Sequence, residues 1–97
     1  MIRHVSLLTW KAGTSAEAVT AVRDALAELP ARIPELRDYR VGPDVGIDAG
    51  NASFAVIGDF ASPADYVVYR DHPAHRAVAQ RHILPILAGR TALQYEI

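Results

Sequence analysis

The stretch YRDHPAHRAV, residues Tyr69–Val78, places a tyrosine six positions before a histidine in a short run of ionisable side chains. A neutral imidazole can remove a proton, and a phenol can donate a hydrogen bond to an oxygen that gains negative charge. Pro73 predicts a helix start, which puts His75 in the first turn, where the helix dipole disfavours the imidazolium. We therefore predict a proton-transfer site with His75 as base and Tyr69 as donor.

A second group of candidate residues lies in the N-terminal segment. His4 is predicted to assist His75 or to orient the substrate, and Ser6, Leu8 and Trp10 are predicted to shape the pocket around it. His72 completes the predicted substrate-binding set. Two of these residues also have a purely structural interpretation. Trp10 could be a core or dimer contact, and His72 could be a residue at a helix start.

A metal site is the alternative that the four histidines of the chain raise. His72 and His75 are three residues apart, which is near the spacing of metal ligands, and His4 could join them in space. Pro73 and the helix start lie between the two histidines, which argues against both side chains pointing toward one metal ion. No set of acidic residues accompanies them. We predict neither a metal nor a cofactor.

The composition limits the class of protein. Ninety-seven residues, of which 51% are hydrophobic, suffice for one domain spanning residues 1–97. A net charge of −1 provides no basic surface for nucleic acid, and the absence of cysteine excludes disulfides. No apolar run reaches the ~20 residues of a membrane span, and no targeting segment is evident. We expect a cytoplasmic protein that binds a small molecule and no membrane.

Alternating and helical hydrophobic patterns divide the chain into six elements. Thr14 and Glu17 fit a capping box before a helix that ends near Pro30, and Ser62 fits the cap of a second helical region. This second region is predicted to break before Pro73 and to restart there. The predicted strands span residues 2–10, 36–41, 52–60 and 91–97.

This β-α-β-β-α-β order predicts a ferredoxin-like α+β fold, in which both helices cover one face of a four-stranded antiparallel sheet. We place Val5 and Leu7 against the helices. The opposite face would then carry Leu8, Phe54 and Val56 beside His4 and Ser6, which is too apolar to remain in water. The sequence therefore predicts a homodimer, with two such faces packed together.

Three segments, MIRHVSLLTWKAGTS, LPARIPEL and DHPAH, resemble the stress-responsive α/β-barrel domain family, also called Dabb, and the resemblance covers nearly the whole chain. It implies a dimeric α+β barrel with a cavity between the sheet and the helices. Barrels of this kind also serve cofactor-free monooxygenases, haem-degrading enzymes and polyketide cyclases.

At the chemically important positions the chain is similar to a polyketide cyclase of the family, which closes a linear poly-β-ketone by intramolecular aldol condensation. This resemblance implies that His75 is the catalytic histidine, with Tyr69 and His4 beside it. A pocket tyrosine on the first helix has no counterpart, since the helix around Leu26 is aliphatic. We predict a cofactor-independent polyketide cyclase-like enzyme. The alternatives are a cofactor-free monooxygenase on an aromatic substrate and a non-catalytic, stress-associated dimer that binds a small molecule.

Overall fold

The computed structural model describes all residues from 1 to 97, and the predicted ferredoxin-like α+β fold is confirmed. The strands are β1 (Ile2–Trp10), β2 (Asp38–Pro43), β3 (Phe54–Phe60) and β4 (Leu87–Glu96), and the helices are α1 (Ala16–Ala27), α2 (Pro63–Asp71) and α3 (Pro73–Val78). The four strands form one antiparallel sheet in the order β2-β3-β1-β4. Helix α3 is followed by a π-helical turn at Ala79–Ile83 and a 3-10 turn at Leu84–Ile86.

Serine side chains begin both α1 and α2. At α1 the cap is Ser15, which accepts a hydrogen bond from the N–H of Ala18 at 3.1 Å, so the cap lies one residue after the predicted Thr14. The Thr14 hydroxyl instead donates to the carbonyl of Lys11. At α2, Ser62 caps the helix as predicted, because free backbone N–H groups in the first turn need an acceptor.

The last strand begins earlier than the sequence pattern indicated. Pro85 lies in the 3-10 turn, and β4 starts at Leu87 rather than at Thr91. The extra residues pair with the end of β1, and Arg90 lies directly opposite Leu8. This shift moves Arg90 from a predicted loop into the sheet.

The predicted assignment of the two sheet faces was wrong. His4, Ser6 and Leu8 are buried beneath the helices, whereas Val5 is half-buried and Leu7 is exposed on the opposite, open face.

The aromatic residues of β3 explain this orientation. Phe54 pairs with Leu8 across the strands, and Phe60 packs against Tyr66 and Tyr69 of α2, with ring centroids 5.6 and 5.2 Å apart. Large rings remove more apolar area from water than valine or leucine does, so they determine which face the helices cover. The most deeply buried side chains are Val22, Leu26, Leu29, Ile33, Phe54 and Phe60.

The open face of the sheet combines an ion pair with apolar side chains. Arg3 donates two hydrogen bonds to the Asp59 carboxylate, at 2.8 and 2.9 Å, and these hold the pKa of Asp59 below its usual value. Val5 lies beside Ile57 on one side and Leu93 on the other. No helix of the chain has the length and apolar character needed to cross a bilayer.

Candidate functional site

A cavity of about 390 Å³ lies between the sheet and the helical layer. Its sheet side comes from the buried face of β1, with contributions from β3 and β4, and its helical side comes from all three helices and the turns after α3. The lining residues are His4, Ser6, Leu8, Leu26, Val56, Tyr66, Tyr69, Arg70, His75, Ala79, Ile83, Leu84, Leu87 and Arg90.

His4 lies in the middle of the sheet with Gln94 of β4 as its cross-strand neighbour. The Nε2 amide of Gln94 donates to Nδ1 of His4 at 2.8 Å, so the imidazole proton resides on Nε2. Burial is the main cause that lowers the pKa of His4 to about 4, and the positive charge of Arg90 acts in the same direction. His4 is therefore a neutral hydrogen-bond donor near neutral pH.

His75 occupies the first turn of α3, as predicted. Its Nδ1 lies 3.0 Å from the backbone carbonyl of Arg70, and because a carbonyl can only accept, Nδ1 carries the proton and Nε2 the lone pair. The pKa of His75 is lowered chiefly by burial, and further by the charges of Arg90 and His72. Burial, which has no signal in the sequence, thus acts in the same direction as the helix dipole.

Tyr69 brings a phenol to the same cavity. It is only 2% exposed, and its ring lies 4.3 Å from the His75 ring, centroid to centroid. Burial raises the pKa of Tyr69 to about 12, so the hydroxyl keeps its proton near neutral pH. This hydroxyl is 2.8 Å from the hydroxyl of Tyr39, and when Tyr39 donates within this pair, the Tyr69 proton can be donated to a ligand.

The structure brings together five of the seven residues that sequence reasoning assigned to the site. The five that line the cavity are His4, Ser6, Leu8, Tyr69 and His75. Trp10 lies outside the lining and packs on Phe54, with ring centroids 5.7 Å apart. His72 also lies outside, because its Nδ1 accepts the N–H of Ala74 at 3.0 Å and so caps α3.

The capping role of His72 leads to a stability prediction. We expect His72→Ala to lower the free energy of unfolding by about 1 kcal/mol, since the N–H of Ala74 loses its acceptor. Chemical unfolding followed by the fluorescence of Trp10, the single tryptophan, measures this. His72→Asn should retain most of the stability, because asparagine also caps. A variant of either kind that loses ligand binding while remaining as stable as the parent would contradict the assignment.

Sequence reasoning missed several cavity residues. Tyr66 stacks near His4, with ring centroids 4.8 Å apart, and Arg90, which remains exposed to solvent, also lines the cavity. The alternation of β4 would have indicated Arg90, had the start of the strand been placed correctly. No group of three histidine, aspartate or glutamate side chains is arranged to hold a metal ion.

Comparison with known proteins identifies the family. The model of the stress responsive A/B barrel domain, Dabb, matches residues 2–97. The chain belongs to the Dabb family. No curated protein matches the chain.

Several solved structures share the fold over almost the whole chain. A dimeric ferredoxin-like protein of unknown function from Thermobifida fusca is 43% identical with a TM-score of 0.91, covering 99% of this chain and 90% of that one. The hydroxynitrile lyase from Passiflora edulis is 22% identical with a TM-score of 0.84, covering 99% and 92%. An antibiotic biosynthesis monooxygenase is 11% identical with a TM-score of 0.77, covering 100% and 98%. At these last two identities the likeness shows the fold alone.

Proposed function

We propose that this Dabb protein is a cofactor-independent enzyme that closes a small linear poly-β-ketone by intramolecular aldol condensation. The observation that carries the proposal is the pairing of two neutral imidazoles with opposite proton positions around one cavity. His75 offers the lone pair of Nε2, and His4 offers an N–H at Nε2. An aldol reaction requires a base to remove the carbon-bound proton and hydrogen-bond donors to stabilise the charged oxygen, and the two imidazoles and the phenol can provide these.

The reaction begins at a methylene carbon between two carbonyls, whose proton is already acidic. Nε2 of His75 removes that proton, and the enolate carbon forms a bond to a distant ketone carbon of the same chain. The carbonyl π bond breaks, and its oxygen takes a proton back from His75 while Tyr69 or His4 donates a hydrogen bond to it. Loss of this hydroxyl with a second methylene proton releases one water, and tautomerisation completes the aromatic ring. No oxidant or reductant enters.

The apolar part of the cavity suits such a substrate. Leu8, Leu26 and Val56 provide walls that exclude water and hold a folded carbon chain near the base. The volume of about 390 Å³ falls within the range of small-molecule sites. A linear chain that is forced to fold in this space has its two reacting carbons brought together.

A second candidate is a cofactor-free monooxygenase. The same deprotonation by His75 would turn an electron-rich phenol or anthrone into an anion that reacts directly with O₂, giving an oxidised ring and water. The likeness to an antibiotic biosynthesis monooxygenase, which concerns the fold, makes this alternative worth testing. A non-catalytic dimer that stores or senses a small molecule is the third.

The deciding experiment supplies a linear trioxo-octanoic acid, both as the free acid and as its thioester. Ring formation is followed by absorbance, and oxygen uptake is followed in parallel with an oxygen electrode. We expect ring closure without oxygen uptake. Oxygen uptake that requires the protein, with an anthrone as substrate, would favour the oxygenase. Failure to convert any of these substrates above the rate in buffer would favour the binding protein.

We also propose that the protein is a homodimer formed through the open face of the sheet. Val5, Ile57 and Leu93 lie side by side there, and Leu93 and Tyr95 are about half exposed. Apolar side chains in a row on an uncovered sheet favour burial against a second copy. The Thermobifida fusca protein, which is 43% identical, is described as dimeric.

A further inference from the structure

Arg90 brings a positive charge to the cavity that no acidic side chain neutralises. It lies on β4 opposite Leu8, on the sheet face that the helices cover, and it lines the cavity. It takes part in none of the ion pairs of the chain, which are Arg3–Asp59, Arg40–Asp38 and Arg70–Asp71.

The other charged residue of the lining differs in this respect. Arg70 makes two hydrogen bonds to the Asp71 carboxylate, at 2.9 and 3.0 Å, so its charge is largely compensated. No aspartate or glutamate lines the cavity. Because both histidines are neutral near neutral pH, the guanidinium of Arg90, which is exposed to solvent, is the charge of the lining that has no protein partner.

The remaining lining indicates what kind of ligand this charge would select. Most of the other side chains are aliphatic or aromatic, and the hydrogen-bonding groups at His4, Tyr69 and His75 are uncharged. A guanidinium presents a planar fork of N–H donors that fits a carboxylate through two parallel hydrogen bonds. The complementary ligand is therefore a largely apolar molecule with one carboxylate.

We propose that Arg90 binds the carboxylate of the substrate, so that the site takes a free keto acid rather than a thioester. The identity of the acid as a poly-β-ketone rests on the proposed function, whereas the binding of a carboxylate at Arg90 does not. A thioester end carries no charge to pair with the guanidinium, and a carrier-bound chain would leave Arg90 without a partner. Arg90, His75 and Tyr69 line the same cavity, so an acid bound at Arg90 shares that space with both groups.

A bound carboxylate has a second effect on the site. The charge of Arg90 contributes to the lowered pKa of both His4 and His75, and it also acts on Tyr69. Pairing the guanidinium with an anion offsets this contribution. The substrate would thereby raise the pKa of His75 and make it a somewhat stronger base when it is needed.

The test compares phenylbutanoate with its uncharged isostere phenylbutanamide by calorimetry, using the full chain and no turnover. We expect the acid to bind at least about tenfold more tightly than the amide, because a charge-assisted pair is stronger than a neutral one. Arg90→Gln should abolish this preference while leaving the binding of the amide within about twofold. Arg81→Gln is the matched control, since it removes an exposed arginine that makes no ion pair and lies outside the cavity lining, and it should keep the preference.

Three results would overturn the inference: equal binding of acid and amide by the parent protein, an undiminished preference in Arg90→Gln, or no binding of the acid at millimolar concentration. An NMR titration measures separately whether the charge of Arg90 acts on His75, because the pKa of His75 should rise in the ligand-free Arg90→Gln protein. A protein that prefers the acid yet closes no ring would retain this inference and lose the proposed function. Ring closure on the thioester that is unaffected by Arg90→Gln would retain the proposed function and contradict this inference.

Discussion

His75→Ala is expected to lower kcat/KM for ring closure by about 10²- to 10⁴-fold, the usual contribution of a positioned general base. The expectation follows from the Nδ1–H bond to the Arg70 carbonyl, which leaves Nε2 of His75 with a free lone pair beside the Tyr69 ring. Neither Tyr69, whose pKa is about 12, nor His4, whose Nε2 carries a proton, can replace that base near neutral pH.

The matched control is His82→Ala, which removes a partly buried histidine outside the cavity lining and should leave turnover within about twofold. Unfolding and sedimentation should show that His75→Ala still folds and associates as the parent does. A folded His75→Ala protein with full activity would exclude His75 as the base.

The pH profile supplies a second readout for His75. A base works only when unprotonated, so activity should be level near neutral pH and fall on acidification through the pKa of His75, which burial places below 6.5. In Arg90→Gln the acidic limb should move to higher pH, because a neighbouring positive charge has been removed. An acidic limb that does not move in that variant would indicate that the titrating group lies away from Arg90.

The second large effect concerns assembly. We expect Leu93→Asp to convert the dimer into a monomer at micromolar concentration, since two carboxylates would be buried near each other in a symmetric interface. Leu93 is 56% exposed in the single chain and lies beside Val5 on the open face of the sheet. Analytical ultracentrifugation across a concentration series measures the change.

Val68→Asp is the control for Leu93→Asp, because Val68 is 43% exposed but lies on α2, on the helical side of the sheet. It introduces the same charge without touching the proposed interface and should leave the dimer intact. If Leu93→Asp stays dimeric, or if the parent chain sediments as a monomer, the open face is not the interface.

The order of elements could be predicted from the sequence because strand and helix periods differ and the caps are local signals. Ser62 before Pro63 and the break at Pro73 depend only on neighbouring residues, and both are found in the structure. The start of β4 was missed because Pro85 forms part of a 3-10 turn and the strand resumes at once after it.

The choice of covered face could not be obtained from β1 alone. Val5 and Leu7 are as apolar as Leu8, so the strand alternates between two acceptable faces. The decision came from Phe54 and Phe60 on a different strand, through the β1–β3 register, which the sequence does not contain. The same error placed His4 toward a partner chain, whereas the structure places it beneath its own helices.

The features of the site that depend on strand pairing likewise could not be predicted from the sequence. The spacing of Tyr69 and His75 along adjoining helices was visible in the sequence, and the two rings do meet. The hydroxyl pair of Tyr39 and Tyr69 joins a strand to a helix, and the bond from Gln94 to His4 joins two strands. Neither contact has a local signal.

The pairing of β1 with β4 also has a consequence for how the protein folds. His4 and Gln94 are separated by 90 residues, so the hydrogen bond between them closes a loop of almost the whole polypeptide. Contacts between such distant residues require an entropically unfavourable closure and slow folding relative to local hairpins. A chain in which β4 has not paired would leave His4 without Gln94 and β1 with an unpaired edge, so the proton position of His4 and the protection of that edge depend on the same strand pairing.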